Sequence, residues 1–391
     1  MKKKLICPMH KTDLKFLLIP KQVSMHMSSY KNHTFVNKIH IDIPMLVGIL
    51  LLFGISFLAL YSAKLDIVVL QKQALRMLLS LLLMGIVAHI SPRVFKSWSV
   101  VLYLFGLLFL FLIFGIGVTS KGAKRWLDLG FFRFQPSELM KLAVPMIVAK
   151  TLHEQILPPS LKNLFISGVY IMLPTLLIAL QPDLGTAILV MSSGLLVIFF
   201  SGIKLRQVIF LLSCAFVTMP LFWLILKDYQ KSRILTLLNP ENDPLGKGYQ
   251  IIQSKIAIGS GGFYGKGWLH GTQSHLEYLP ERATDFIFAV FSEEFGFIGV
   301  AILLLIYSFI IVRGLYISTR AQDTFNRLLS GSIIMVFFIY VFVNIGMVSG
   351  ILPVVGIPLP FISYGGTSLV IIMISFGILM SIQSHRILVK K

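Results

Sequence analysis

The chain has 391 residues, of which 13% are charged and 56% fall in the apolar class, whereas ordinary soluble domains carry roughly 25% charged residues. So few charges over so large a surface exclude a cytosolic enzyme, a disordered chain and a secreted disulfide scaffold, leaving a protein that crosses a bilayer many times. The net charge of +19 reads as the positive-inside excess of membrane proteins, not as a nucleic-acid surface.

Residues 1–41 are polar and basic, with eight lysines. The short apolar run there is broken by Pro8, His10 and Asp13, so the segment reads as a cytoplasmic tail and not a signal peptide. Met25 and Met27 leave open a natural start further in. Cys7 and Cys214 fall in different compartments, so no disulfide framework is expected. Apolar stretches follow near 44–63, 71–90, 98–118, 138–151, 164–181, 184–202, 207–226, 286–312, 328–350 and 361–382. They predict an all-α polytopic membrane protein of about ten transmembrane helices. Its parts are a tail over 1–41 and a membrane domain over 42–391, with one large extracytoplasmic loop at about 227–285. The fourth run is short and carries Glu138 and Lys141. Gln181-Pro182-Asp183 alone joins the fifth to the sixth.

The short loops set the orientation. With the N-terminus inside, inside loops carry Arg93 and Lys96, then Lys162, then Lys204 and Arg206, then Arg313, Arg320 and Arg327, and the C-terminal tail adds Arg386, Lys390 and Lys391. Both termini are therefore expected in the cytoplasm. Two outside segments stand apart. Residues 119–137 hold Lys121, Lys124, Arg125 and Arg133 against the single acid Asp128, a basic loop on the side where few cations are expected. Residues 227–285 form a loop long enough to imply a job. Within it Tyr249 to Ile258 has helical apolar spacing, and Gly259 to Gly262 break it, predicting a short amphipathic helix in the outer interface.

Ionisable residues in a membrane face a cavity or a partner. Glu138 and Lys141, three apart, share a helix face, with Ser137 placed to cap the helix. They read either as a structural ion pair or as a polar wall of a substrate cavity. Trp126, beside Arg125, reads either as an interfacial anchor or, with its basic neighbours, as part of a site for a phosphorylated lipid headgroup. Asp285 stands where a span begins, with Pro280 and Thr284 as helix-start signals. It reads either as a helix cap or as an ionised carboxylate at the membrane surface, able to take a proton. Glu293 and Glu294, two turns deeper, are further candidates for a cavity wall. Asn344 and Ser363-Tyr364-Gly365-Gly366-Thr367 are polar breaks that also suit packing. The histidines show no metal spacing, and no HExxH, CxxC or Walker sequence occurs. No cofactor is expected, and no ligand cluster predicts a divalent cation.

The stretches SKGAKRWLDLG, FQPSELMKLAVP, QPDLGTA, GKGWLHGTQSHLEYLPERATDFIFAVFSEEFG and NIGMVSGILPVVGIPLPFISYGGTS resemble the SEDS family of shape, elongation, division and sporulation proteins, from about residue 42 to the C-terminus. The last two are similar to its elongation branch more than to its division branch. The resemblance implies a ten-span peptidoglycan glycosyltransferase of the bacterial cytoplasmic membrane, polymerising lipid II on the outer face beside a class B penicillin-binding protein and the elongation machinery. It makes Asp285 the essential carboxylate and carries Trp126, Glu138 and Lys141 over as substrate-site residues. Where the family has His-Thr-Asp, this chain has Ala283-Thr284-Asp285, so no role passes to that histidine, and His275 is only a distant substitute. An inverting transfer from an α-linked pyrophosphate needs a base and charge stabilisation of the leaving group. Asp285 is the candidate base, Lys121, Lys124, Arg125 and Arg133 the candidate pyrophosphate ligands, and Lys141 a cavity residue. The alternatives are a lipid II flippase and a non-catalytic scaffold for a partner synthase.

Overall fold

The computed structural model describes residues 40–120, 123–128, 130, 133–154, 157–204, 206–209, 213, 217, 228–238, 247–275, 279 and 281–385. Nine of the ten apolar runs are helical in it: α1 (Ile43–Lys64), α2 (Ile67–His89), α3 (Pro92–Ile116), α4 (Pro136–His153), α5 (Leu161–Leu180), α6 (Leu184–Phe200), α10 (Ile287–Thr319), α11 (Thr324–Val348) and α12 (Thr367–Ser384). The tail over 1–39, Cys7, Cys214 and all of the run at 207–226 except 207–209, 213 and 217 lie outside the described residues. Seven of these helices are long and apolar enough to cross a bilayer, and α6 is a shorter apolar helix. Their outer faces carry exposed Leu50, Leu82, Val101 and Phe165, the surface that lipid tails solvate as well as a protein core would.

Side chains fix several helix starts. Asp42, Asp66, Ser160 and Asp183 accept from the backbone N–H groups of Met45, Val68, Asn163 and Thr186, each satisfying a donor that the helix leaves orphaned. Asp42 also takes a two-point ion pair from Arg313, at 3.1 and 2.6 Å, which joins α1 to α10. At the same end His40 stacks on His385, ring centroids 4.7 Å apart, and meets His89 edge-on at 5.1 Å. Burial, then His385, then His89 lower the His40 pKa.

The most polar run becomes the centre of the bundle. In α4, 14 of 18 residues are buried, and α3, α5, α6, α11 and α12 all pack on it. A helix buried on nearly every side belongs in the core of a bundle. On α3, Gly106 permits the approach: a Cβ there would stand 2.3 Å from Met140 Sδ.

The basic segment is a small antiparallel sheet, not an irregular loop. Strands β1 (Val118–Ser120), β2 (Ala123–Asp128) and β3 (Arg133–Phe134) lie in the order β1-β2-β3, with Trp126 opposite Val118 and Leu127 opposite Phe134. Leu127 is buried and Lys124 exposed, and β2 packs on α3 and α4. Open strand edges need hydrogen-bonding solvent, so this piece belongs outside the hydrocarbon.

The long loop contains α7 (Asp228–Leu238), α8 (Lys247–Gly261) and α9 (Thr272–His275). Helix α8 covers the expected 249–258 and runs through Gly259 to Gly261, ending where Gly262 takes φ +55. Its Ile251 and Ala257 are buried, and Ser254 donates to the Val348 carbonyl at 2.8 Å. It is therefore packed on protein along one side. In α10 the helix breaks at Gly296, φ 62 and ψ −161. The loop repairs the break: Lys266 and Gly267 N–H donate to Glu293 and Glu294 carbonyls at 3.0 Å, and Phe297 N–H donates to Gly262 at 3.0 Å. The kink is thus bonded to the long loop, with every freed group named here paired.

Candidate active site

Residues 281–286 fold into turns ahead of α10, whose N-cap is Phe286. Thr284 is therefore not the cap. Its hydroxyl donates to the Glu281 carboxylate at 2.7 Å and its N–H to the Glu281 carbonyl at 3.1 Å. Asp285 precedes the helix and does not occupy its first turn. Three donors from a distant stretch hold this turn. Tyr364 N–H donates to the Ala283 carbonyl at 2.9 Å, Ser363 Oγ to Thr284 at 2.6 Å, and Asn344 Nδ2 to Asp285 at 2.9 Å. Asn344 also donates to Ile357 at 2.7 Å, tying the two loops together. Each such bond is worth about 1 kcal/mol net. Gly356, at φ +78, presents bare backbone to the carboxylate, since a Cβ there would lie 3.5 Å from Asp285 Oδ2. The polar breaks at Asn344 and Ser363-Tyr364 thus form a clamp on the turn that carries Asp285. The breaks also shorten the last helix, which starts at Thr367 and not at 361.

Glu138 and Lys141 are both buried and paired at 2.6 Å. Lys141 also donates to the Tyr340 hydroxyl and lies 4.9 Å from that ring's centroid. The N-cap of α4 is Gln135, with Pro136 as first helical residue, so Ser137 does not cap. Gln135 Nε2 instead donates to Asp183 Oδ2 at 2.9 Å. Ser137 Oγ and Glu138 Oε2 are buried without a hydrogen-bond partner among the described residues, polar atoms of the kind that mark room for water or ligand.

The sheet cations are unequal. Arg125 Nη1 lies 3.6 Å from the buried Asp183 carboxylate, and Arg133 Nε lies 3.6 Å from Asp128. Lys124 is exposed and Trp126 half-buried, while Lys121 is outside the described residues. Among the described residues no group of three or more His, Cys, Asp or Glu is arranged to hold a metal ion.

Glu293 and Glu294 are both buried and hydrogen-bonded to neighbouring elements. Glu293 accepts from Lys266 Nζ at 2.6 Å, from Thr272 N and Oγ1 at 2.9 Å and from Gln273 N at 3.1 Å. Glu294 accepts from the Ser62 hydroxyl. Replacing Glu293 by Gln strands Lys266 and loosens the loop. We expect amide hydrogen exchange over 266–273 to accelerate by at least about tenfold, roughly 1.4 kcal/mol of local stability. Unchanged exchange would contradict the pin.

Arg76 is the residue that reading the runs for length passes over. It sits in α2 with no acidic partner among the described residues, its Cζ 4.6 Å from the Tyr364 ring centroid. A cation four residues beyond Lys72, deeper in the apolar stretch 71–90, was the available signal.

The fold and these groups define a class: a multi-spanning helical membrane protein with a carboxylate held on a clamped turn at one end of a span. Residues 36–387 match the FTSW_RODA_SPOVE family of cell cycle proteins, and the chain belongs to that family. It is 53% identical over 362 residues to the peptidoglycan glycosyltransferase MrdB of Escherichia coli K12, across 92% of this chain and 97% of that protein. The stage V sporulation protein E of Bacillus subtilis is 37% identical, across 88% of this chain and 97% of that one. A solved chain from a peptidoglycan synthase complex that coordinates polymerization and crosslinking matches with TM-score 0.77 at 32% identity, covering 88% of this chain and 97% of that chain. The rod shape determining protein RodA of Thermus thermophilus matches with TM-score 0.66 at 28% identity, covering 88% and 96%. The similarity to the elongation branch read from the motifs agrees with these relatives.

Proposed function

We propose that the protein is a peptidoglycan glycosyltransferase of cell elongation and rod-shape maintenance, polymerising lipid II into β-1,4-linked strands with Asp285 as general base. The observation that carries this is the clamp: three consecutive carbonyls, of Ala283, Thr284 and Asp285, are each held by a donor from residues 344–364. A base earns its rate by being positioned. Asp285 takes the proton of the acceptor's 4-hydroxyl as that oxygen bonds to the donor's anomeric carbon. The bond to pyrophosphate breaks, its electrons leaving with undecaprenyl pyrophosphate, and the centre inverts from α to β. Lys124, with Lys121, Arg125, Arg133 and Trp126, is the proposed headgroup surface, and Glu138 and Lys141 the polar wall behind it. The name carried by the E. coli relative supports this reading. The flippase reading lacks a free cation among the described residues of its cavity, since Lys141 is closed onto Glu138 and Tyr340, and the scaffold reading has no observation of its own.

The protein belongs, on this reading, in the cytoplasmic membrane with both termini inside, the active site on the outer face and a class B penicillin-binding protein as partner. Purified protein given labelled lipid II and no other transferase should form polymer on a gel; no polymer, with or without the partner, rejects the assignment. In a chain with Cys7 and Cys214 replaced by Ser, cysteine at Tyr264, which is 79% exposed, should react with an impermeant reagent outside the cell. Cysteine at Gln322 should not. The opposite pattern overturns the orientation.

A further inference from the structure

Arg76 lies on the tenth residue of α2, at the edge of the buried stripe Gln73, Met77, Ser80 and Met84 that packs on α12. A charge there is costly unless something repays it. Among the described residues no carboxylate does. The guanidinium is set against the Tyr364 ring instead and runs beside Gly366, where a Cβ would be in ordinary contact 3.6 Å from Arg76 Nε. One turn away Gln73 Nε2 reaches the Ser363 carbonyl at 3.5 Å. Ser363 and Tyr364 are the residues that hold the carbonyls of Thr284 and Ala283. Arg76 is therefore anchored to the clamp itself, one residue removed in each direction from the turn bearing Asp285. Contact with an aromatic face leaves the planar edge of an arginine, with its fork of donors, for an anion.

We propose that Arg76 is a binding residue for the pyrophosphate of the polyprenyl leaving group, at a site separate from the basic sheet. The sheet packs on α3 and α4, whereas Arg76 reaches the clamp from α2. The inference rests on the glycosyltransferase reading and adds to it the group that neutralises charge as the bond to pyrophosphate breaks, with donors preorganised before the reaction.

The test is binding without turnover. Full-length protein in neutral-lipid nanodiscs is titrated with undecaprenyl pyrophosphate and, separately, with undecaprenol. Wild type should prefer the pyrophosphate form. Arg76→Met, which removes a charge from a span and so tends to preserve folding, should weaken pyrophosphate binding by at least about tenfold, the loss expected for a charge-assisted bond, and leave undecaprenol binding unchanged. Arg76→Lys, which keeps the charge and loses the fork, should fall between. Should the Met variant not fold, the Lys variant decides, with at least about a threefold loss of the preference expected against a fork-dependent site. Wild-type affinity in the folded variant, equal loss for both lipids, or no preference in wild type overturns the proposal. If the preference depends on Arg76 but lipid II yields no polymer, the anion site stands and the glycosyltransferase reading falls. If polymer forms and binding ignores Arg76, the reverse holds.

Discussion

Asp285→Asn should abolish polymerisation of lipid II, with a rate at least about 10²–10⁴ below wild type, the range a positioned base supplies, while folding and partner binding stay near normal. The clamp explains the separation. Its three bonds end on backbone carbonyls of residues 283–285, which the substitution leaves in place, so only the proton-accepting charge is lost. Asp285→Glu keeps the charge but moves it by one methylene in a turn whose backbone cannot follow, and should be badly impaired for the same reason. The comparison is polymer formed from lipid II at matched protein amounts, with thermal unfolding as the control. An Asn variant within a few-fold of wild type removes Asp285 from the chemistry. Glu293 is a poor replacement, because four donors already converge on its buried carboxylate.

Lys141→Met should destabilise the protein by about 3–5 kcal/mol, because it leaves the Glu138 carboxylate buried without its counter-ion. Both side chains are under a tenth exposed and sit in the helix on which five others pack. The double variant Glu138→Gln with Lys141→Met removes the stranded charge and should recover most of that loss. Thermal unfolding of the purified proteins measures both effects. The double variant then separates the two roles of the pair. If it is stable and polymerises lipid II, the pair serves only to hold helices together; if it is stable and inactive, the pair is a wall of the substrate cavity. Equal stability of Lys141→Met and wild type would mean that water reaches Glu138.

Much of this molecule is local, and the local part was legible. A span is a length of apolar chain, so the runs at 44–63 and 328–350 became α1 and α11 with ends shifted by a few residues. The helical spacing of Tyr249 to Ile258 needed no partner to be recognised, and the carboxylate at 285 could be picked out because it stands where an apolar run begins, in a stretch that resembles the family. Signals that depend on which backbone group is left unsatisfied were read less well. Ser137 and Thr284 are good capping residues by type, but Gln135 and Phe286 occupy the cap positions, because the chain entering each helix is held by contacts from elsewhere.

Apolar patterning alone determined that this chain is a helical membrane protein and where most of its spans lie, since both depend on composition within about twenty residues. Only the tertiary structure decided what the polar residues do. Asn344, Ser363 and Tyr364 are about 60 to 80 residues from the turn they clamp. Glu293 reaches back to the loop at 266–273, and Arg125 is drawn to Asp183 instead of standing free. In a medium without water every buried donor must find an acceptor within the protein, and that pairing is settled by which helices meet, a property no stretch of sequence carries by itself.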